Sequence, residues 1–278
     1  MSRAASVIVV TYNSPQWLAL ICCALLRQRQ APQEILIADD GSSAETAQMI
    51  EGIAAHSAIP LRHIWHPDRG FRKGAIINRA AALATADNLL FLDGDTIPHR
   101  DWVADHLHAA DGRSVWCGRR VRLGPEITAS ITDQEILGGQ LDSAFSTLLW
   151  QGRKQKTVRN WGNAPRYPWW LCQLLYRFKN KGLMGCNFSL PRTVFAAING
   201  YNEDFIRRED WNLEIRLRQY GAPLRAMLNH GIAFHLHHNE FDYAGFAYPD
   251  HGPTWTVNGL DRHDDEVVVR DFSASSED

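Results

Sequence analysis

Two aspartates one glycine apart, Asp93-Gly94-Asp95, end the apolar run Asn88-Leu89-Leu90-Phe91-Leu92. Such a run reads as a strand buried on both faces. Aspartate is depleted in strands, and two could not be buried there unpaired without a large desolvation cost. They must therefore emerge at the strand's carboxyl end, where open α/β sheets hold their ligands. Two hard oxygen ligands suit a divalent cation, and the glycine lets a phosphate come close. Asp-Gly is also common in solvated turns and at helix starts, so the surroundings must decide.

Two other strand ends are polar. Ser6–Val10 runs into Thr11-Tyr12-Asn13, and Glu34–Ala38 into Asp39-Asp40 followed by Gly41-Ser42-Ser43. Asp40 suits a helix cap as well as a ligand. Beside them lies the basic turn Asp68 to Gly74, with Arg69, Arg72 and Lys73. Carboxylates together with guanidinium and ammonium groups are what a metal-bound diphosphate needs. A second constellation follows later. Glu209-Asp210 opens a helix that carries Leu213, Ile215 and Leu217 and stops at Tyr220-Gly221. Acidic residues there could simply complement the helix dipole. In Ile232–His238, alternation puts His235 and His237 on one side and His238 on the other. Three histidines in four residues raise the prospect of a metal ligand.

The elements that position these groups alternate. Ser14 and Pro15 start a helix with Trp17, Leu18, Ile21 and Leu25 at helical spacing. Further helices are expected at about 44–55, about 75–85 and Pro98–Ala109, and a third strand near Leu61–Ile64. Val115–Val121 reads as a strand crossing the sheet. Gly182–Ser189 reads as a turn into a strand, and a short helix runs from Pro191 to Asn199-Gly200. This alternation means βαβ units, a parallel sheet and right-handed crossovers.

The 278 residues suffice for one large domain or two small ones. The 45% hydrophobic and 22% charged content is that of a globular chain, and a net charge of -2 argues against a nucleic-acid partner. Five cysteines (22, 23, 117, 172 and 186) without a CxxC pair read as reduced thiols rather than a disulfide or zinc framework. The first residues show no signal-peptide pattern, and no apolar run reaches the ~18 residues of a membrane span. A cytoplasmic location is expected, at most peripheral on the inner membrane. Residues 143–202 hold no Asp or Glu but nine Lys or Arg, interleaved with Leu148-Leu149-Trp150, Trp169-Trp170-Leu171, Leu174, Leu175 and Phe178. An amphipathic helix on an anionic membrane surface would have this composition. So would a helical insertion whose apolar residues join the core.

Val9-Val10-Thr11-Tyr12-Asn13, Asp39-Asp40-Gly41-Ser42, Gly70…Asn78 and Leu92-Asp93-Gly94-Asp95 resemble the inverting nucleotide-sugar glycosyltransferases of family 2. Gly185-x-Asn187, Asn199-Gly200-Tyr201 and Glu209-Asp210 resemble their acceptor half, with bacterial chondroitin and hyaluronan polymerases and capsule or lipopolysaccharide transferases nearest in flavour. The resemblance covers about 5–110 and about 182–240. It implies a GT-A fold, α/β with a mostly parallel sheet. Residues 1–122 would be the nucleotide-sugar half, 123–181 the basic, aromatic-rich insertion, and 182–278 the acceptor half and tail. By the same resemblance Thr11 and Tyr12 line the base and Asp39 accepts the N3–H of uracil. Arg72 lies near the diphosphate, with Asn13, Asn78 and Gly94 completing the set. Asp93 sits near ribose and metal, and Asp95 on the metal with His235, or else His238. Asp210 is the general base and Glu209 holds the acceptor sugar. Arg207-Arg208 stands where the family often has Gly-Gly. Mixed carboxylate and imidazole ligands favour Mn²⁺ over Mg²⁺.

The expected reaction is thus metal-dependent transfer from a UDP-sugar to a hydroxyl of a glycan or lipid-linked glycan, in surface polysaccharide or lipopolysaccharide synthesis. The alternatives are a metal-dependent sugar nucleotidyltransferase and a non-catalytic membrane-docking protein. The tail bearing Tyr243, Phe246, Tyr248 and Trp255 is expected to cover one side of the site, and Ser273–Asp278 to be disordered.

Overall fold

The structure is a computed structural model and describes residues 4–176, 182–206, 208–239, 260 and 266–272. Arg207, the aromatic tail positions and Ser273–Asp278 lie outside the described residues, as does the end of the basic insertion, 177–181.

The amino-terminal half alternates as expected. Strand β1 (Ala5–Thr11) leads to α1 (Pro15–Leu26), β2 (Glu34–Asp39) to α2 (Ala44–Ala54), and β3 (Leu61–Trp65) to α3 (Lys73–Leu83), followed by β4 (Asn88–Asp93). Strand β2 is buried along its whole length and β1 nearly so, as strands covered by helices on both faces must be. The chain continues through β5 (Thr96–Pro98), α4 (Trp102–Ala109), β6 (Val115–Cys117) and β7 (Arg119–Leu123). The insertion holds α5 (Pro125–Ser130), α6 (Asp133–Leu137), α7 (Thr147–Lys154), β8 (Val158–Arg159) and α8 (Trp169–Tyr176). Then come β9 (Asn187–Pro191), α9 (Arg192–Ala197), α10 (Glu209–Tyr220), β10 (Leu224–Ala226), β11 (Ile232–His235) and β12 (Val268–Asp271).

Eight strands make the main sheet, in the order β10-β6-β9-β4-β1-β2-β3-β12. The β4-β1-β2-β3 block is parallel, and the antiparallel strands β9 and β12 join it on either side. One apolar cluster lies under α1 and α2 and extends below the small sheet, and another lies under α3, α9 and α10. Across the β4–β9 pair, Phe91 and Phe188 stack with ring centroids 4.5 Å apart. Aligned stacks of this kind add to burial in fixing register.

Three expectations change. The Pro98–Ala109 helix begins only at Trp102, because Thr96–Pro98 pairs with β11 in a second sheet of order β5-β11-β7-β8. Val115–Val121 is two strands, one in each sheet, and Gly118 is the break. A Cβ at Gly118 would collide with the side chain of Asn187. That side chain is fully buried and ties the two sheets together. Its Nδ2 donates to the carbonyls of Arg119 (3.0 Å) and Gly231 (2.8 Å), and its Oδ1 accepts from Trp102 Nε1 (2.8 Å). The basic insertion, finally, is no single amphipathic helix. Leu149 and Val158 enter the core, whereas Trp170, Leu174 and Leu175 of α8 stay exposed.

Candidate active site

Strand register sets the acidic strand ends on one rim. Thr11 stands opposite Asp39, and Val10 opposite Asp93. Beyond that rim opens a cleft of about 520 Å³, within the range of small-ligand sites. Tyr12, Trp17, Phe71, Asp93, Asp95 and His238 help to line it. Gly94 is needed here for packing: a Cβ would run into the carbonyl oxygen of Val10, so β4 could not close against the end of β1.

The rim residues differ in what they offer. Thr11 lines the cleft with a buried hydroxyl that no group among the described residues satisfies, and Tyr12, half exposed, is steadied by a 2.8 Å hydrogen bond to Asp68. Asn13 takes a left-handed backbone (φ 46°), and its Oδ1 accepts from Ser43 N. Asp39 does not reach the cleft. It is fully buried, with Oδ1 accepting from Ser42 N (2.7 Å) and Oδ2 bonded to His63 Nε2 (2.8 Å). The fully buried Asn78 joins α3 to Tyr201 through Nδ2 to Tyr201 O and Tyr201 N to Oδ1. Arg72 caps α3, and its backbone N–H goes to Asp40 Oδ2; its neighbours Phe71 and Lys73 are the ones that line the cleft. Asp40 holds this turn and His66 while still facing the cleft, so it is both brace and lining residue.

Asp95, His235 and His238 converge, each offering a ligand atom within 4.8 Å of the others. Strict alternation would have turned His238 away. Strand β11 ends at His235, however, and the chain beyond it brings His238 back, Nε2 lying 3.0 Å from Asp95 Oδ2. Both histidines therefore join the set, and Asp93 does not. Burial would raise the Asp95 pKa, but the His238 hydrogen bond, the charge of His235 and the Thr96 hydroxyl bring it down to about 2. Burial lowers the pKa of His235, against the pull of Asp95, which favours the neutral ring a metal needs. The His238 hydrogen bond to Asp95 raises its pKa. One carboxylate and two imidazoles make a donor set that can hold a divalent cation.

Asp93 is engaged instead by Lys73, whose Nζ lies 2.8 Å from Asp93 Oδ1 and 3.4 Å from Glu209 Oε1. Burial opposes the ammonium charge, yet Asp93 and Glu209 outweigh it and raise the Lys73 pKa well above the usual value. Glu209 is raised, by burial first and by Asp210 as well, with Lys73 opposing. Beside it Asp210 is partly exposed, its Oδ1 accepting from Trp211 N. Gly185 leaves room for it, since a Cβ there would lie 3.1 Å from the Asp210 Cβ. One ammonium thus spans the end of β4 and the start of α10. Lys73 was visible in the sequence only as part of a basic turn, as was Phe71. Trp17 read only as helix core, and the role of Asn187 was not foreseen.

Sequence comparison matches residues 6–182, more than half of the chain, to the family described as glycosyl transferase family 2. A second family, described as the N-terminal domain of galactosyltransferase, matches residues 171–239. Validoxylamine A glucosyltransferase of Streptomyces hygroscopicus subsp. limoneus is 27% identical over 235 residues, 79% of this chain and 49% of that protein. Chondroitin synthase of Escherichia coli is 25% identical over 243 residues, 83% of this chain and 34% of that protein. The chain thus spans half or less of the length of these relatives. Among solved structures, the mannosyltransferase PcManGT from Pyrobaculum calidifontis, in complex with GDP-Man and Mn²⁺, superposes with a TM-score of 0.55 at 16% identity. The superposition covers 85% of this chain and 57% of that one.

Proposed function

Because this chain belongs to glycosyl transferase family 2 and is a glycosyltransferase, we propose that it moves a sugar from a UDP-sugar to a hydroxyl of a glycan or glycolipid acceptor, with inversion. Membership of a transferase family replaces the nucleotidyltransferase and docking-protein alternatives. The observation that carries the reading is the Lys73 bridge, because it joins Asp93, which lines the cleft, to Glu209, the neighbour of Asp210.

Tyr12 and Phe71 present exposed ring faces for the base, and the unsatisfied Thr11 hydroxyl offers it a hydrogen bond. Asp95, His235 and His238 would hold a divalent cation, whose chemistry is to neutralise charge on the leaving diphosphate. The PcManGT complex with Mn²⁺ supports the choice of ion. Asp210 accepts the proton of the acceptor hydroxyl as that oxygen bonds to the anomeric carbon and the bond to the phosphate oxygen breaks. Partial exposure suits Asp210 to this role, since it leaves the carboxylate reachable. Glu209, fixed by Lys73, positions the acceptor beside it. Surface polysaccharide or lipopolysaccharide synthesis on the cytoplasmic face of a membrane is the setting we infer. The exposed Trp170, Leu174 and Leu175 would dock on anionic lipid there.

Replacing Asp210 by Asn should lower transfer by about 10²–10⁴-fold, the usual contribution of a positioned base. Stabilisation of the fold by UDP with Mn²⁺, read by thermal shift, should stay close to wild type. Undiminished turnover in Asp210→Asn would remove that residue from the role. Absence of any Mn²⁺-dependent UDP stabilisation in the wild type would overturn the donor assignment.

A further inference from the structure

Tyr12 and Phe71 line the cleft from two separate segments, the end of β1 and the turn that leads into α3. Each is 49% exposed, so core packing does not hold either ring. An exposed ring that is free to turn loses that freedom when a ligand stacks on it, which weakens binding. One carboxylate reaches both segments. Asp68 Oδ2 accepts from the Tyr12 hydroxyl at 2.8 Å, and Asp68 Oδ1 accepts at 2.9 Å from the backbone N–H of Gly70, the residue before Phe71.

The turn itself is anchored from the end of β2. Asp40 Oδ1 lies 2.7 Å from His66 Nε2, and Asp40 Oδ2 accepts from the N–H of Arg72 at 3.0 Å. Gly41, with a left-handed backbone (φ 96°), lets the turn come in: a Cβ there would lie 2.6 Å from both Cα and N of Asp68. The backbone on each side of Phe71 is thus tied to a carboxylate, Gly70 to Asp68 and Arg72 to Asp40. The Tyr12 hydroxyl then ties the end of β1 to this anchored turn. The two partners also keep each other in the protonation state the bond needs. The hydrogen bond and charge of Asp68 raise the Tyr12 pKa, so the phenol stays a donor. The Gly70 N–H, and next the Tyr12 hydroxyl, lower that of Asp68, so it stays an acceptor with both oxygens engaged.

We propose that Asp68 is a positioning residue for the nucleobase of the donor: it orients the Tyr12 ring and, through Gly70, the backbone that carries Phe71, so that both rings stand ready to stack on a planar base. This rests on the UDP-sugar reading and names what orders its base-binding rings. Asp68 itself touches neither the diphosphate nor the reacting carbon in this arrangement. Its contribution is to nucleotide affinity, by removing an ordering cost, and not to the proton transfer at Asp210.

Calorimetric binding of UDP and of inorganic pyrophosphate to the full chain, each with Mn²⁺, tests it. Pyrophosphate carries the diphosphate without the base. Asp68→Ala, and Tyr12→Phe, which keeps the ring but not the hydroxyl, should each weaken UDP binding about three- to tenfold, the worth of one hydrogen bond. Pyrophosphate should bind both variants as it binds the wild type, a result that a general disturbance of the cleft would not give. The double variant should be no weaker for UDP than Asp68→Ala, because both changes break one contact. Spectrophotometric titration at high pH should show a tyrosine ionising earlier in Asp68→Ala than in the wild type. Unchanged UDP affinity in the single variants, additive losses, or an equal loss for pyrophosphate would overturn the role of Asp68 alone. Wild-type protein that binds pyrophosphate with Mn²⁺ but not UDP would overturn the donor reading itself, on which this role depends.

Discussion

Lys73 is the first residue of α3, where a cation meets the positive end of the helix dipole. Its position is unfavourable for the helix and makes sense only through Asp93 and Glu209. Removing one partner from a buried ion pair commonly costs about 3–5 kcal/mol. Lys73→Met should accordingly lower the urea-unfolding free energy by several kcal/mol. The deficit should be smaller at pH 5 than at pH 8, because protonation of Glu209, whose pKa is already raised, relieves the uncompensated charge. A deficit independent of pH would mean that lost packing, and not charge, is responsible. His106 is a second residue with a pH signature. Burial lowers its pKa to about 4, from an ordinary value of 6.5. The folded state holds the ring neutral while the unfolded chain protonates it first. Stability from this residue is complete above about pH 6.5 and is lost as pH falls toward 4, by up to about 3 kcal/mol. Chemical denaturation at pH 7 and 4.5 should show a shallower loss in His106→Gln than in the wild type.

Among the elements, the junction of the two sheets depends on Asn187 and Gly118. Asn187→Ala would take away the hydrogen bonds that its amide makes with Trp102 Nε1 and two backbone carbonyls, and a buried group left unsatisfied costs about 1–3 kcal/mol. Gly118→Ala would press a Cβ into the same amide. Both should lower the unfolding midpoint strongly, and the double variant should cost less than the two changes added, since each disrupts the same contact. Additive costs would refute the shared junction. This is also where the sequence was least legible. The buried runs of β1, β2 and β4 and the caps of α1 and α10 were plain, because each is set by a local pattern of burial or backbone geometry. The split of Val115–Val121 and the return of His238 depend on a partner strand far away in the chain, and no local pattern records that. For the same reason the contacts that fix Asp39 and Asn78 were not legible: only the tertiary structure shows that His63, Ser42 and Tyr201 hold them.

For the molecule as a whole, the charge is uneven rather than large. No helix among the described residues is long and apolar enough to cross a membrane. Helix α8 exposes 67% of Trp170, 62% of Leu174 and 54% of Leu175 while Trp169 anchors it by stacking on His230 at 4.0 Å. If this face rests on anionic lipid, sedimentation with phosphatidylglycerol vesicles should exceed that with phosphatidylcholine. Trp170→Glu/Leu174→Glu should then abolish the difference without changing the melting temperature. Equal recovery with both lipids would exclude the docking role.

Strand β9 enters the middle of the main sheet, between β4 and β6, although it comes from the carboxyl-terminal part of the chain. During synthesis, the parallel block β1–β4 therefore leaves the ribosome with one flank bare, and some hundred residues must follow before its neighbour arrives. An uncovered flank of Leu89, Phe91 and Leu92 is the kind of surface that draws nascent chains together. The yield of correctly folded protein should thus depend on translation rate and on chaperones that shield chains in transit.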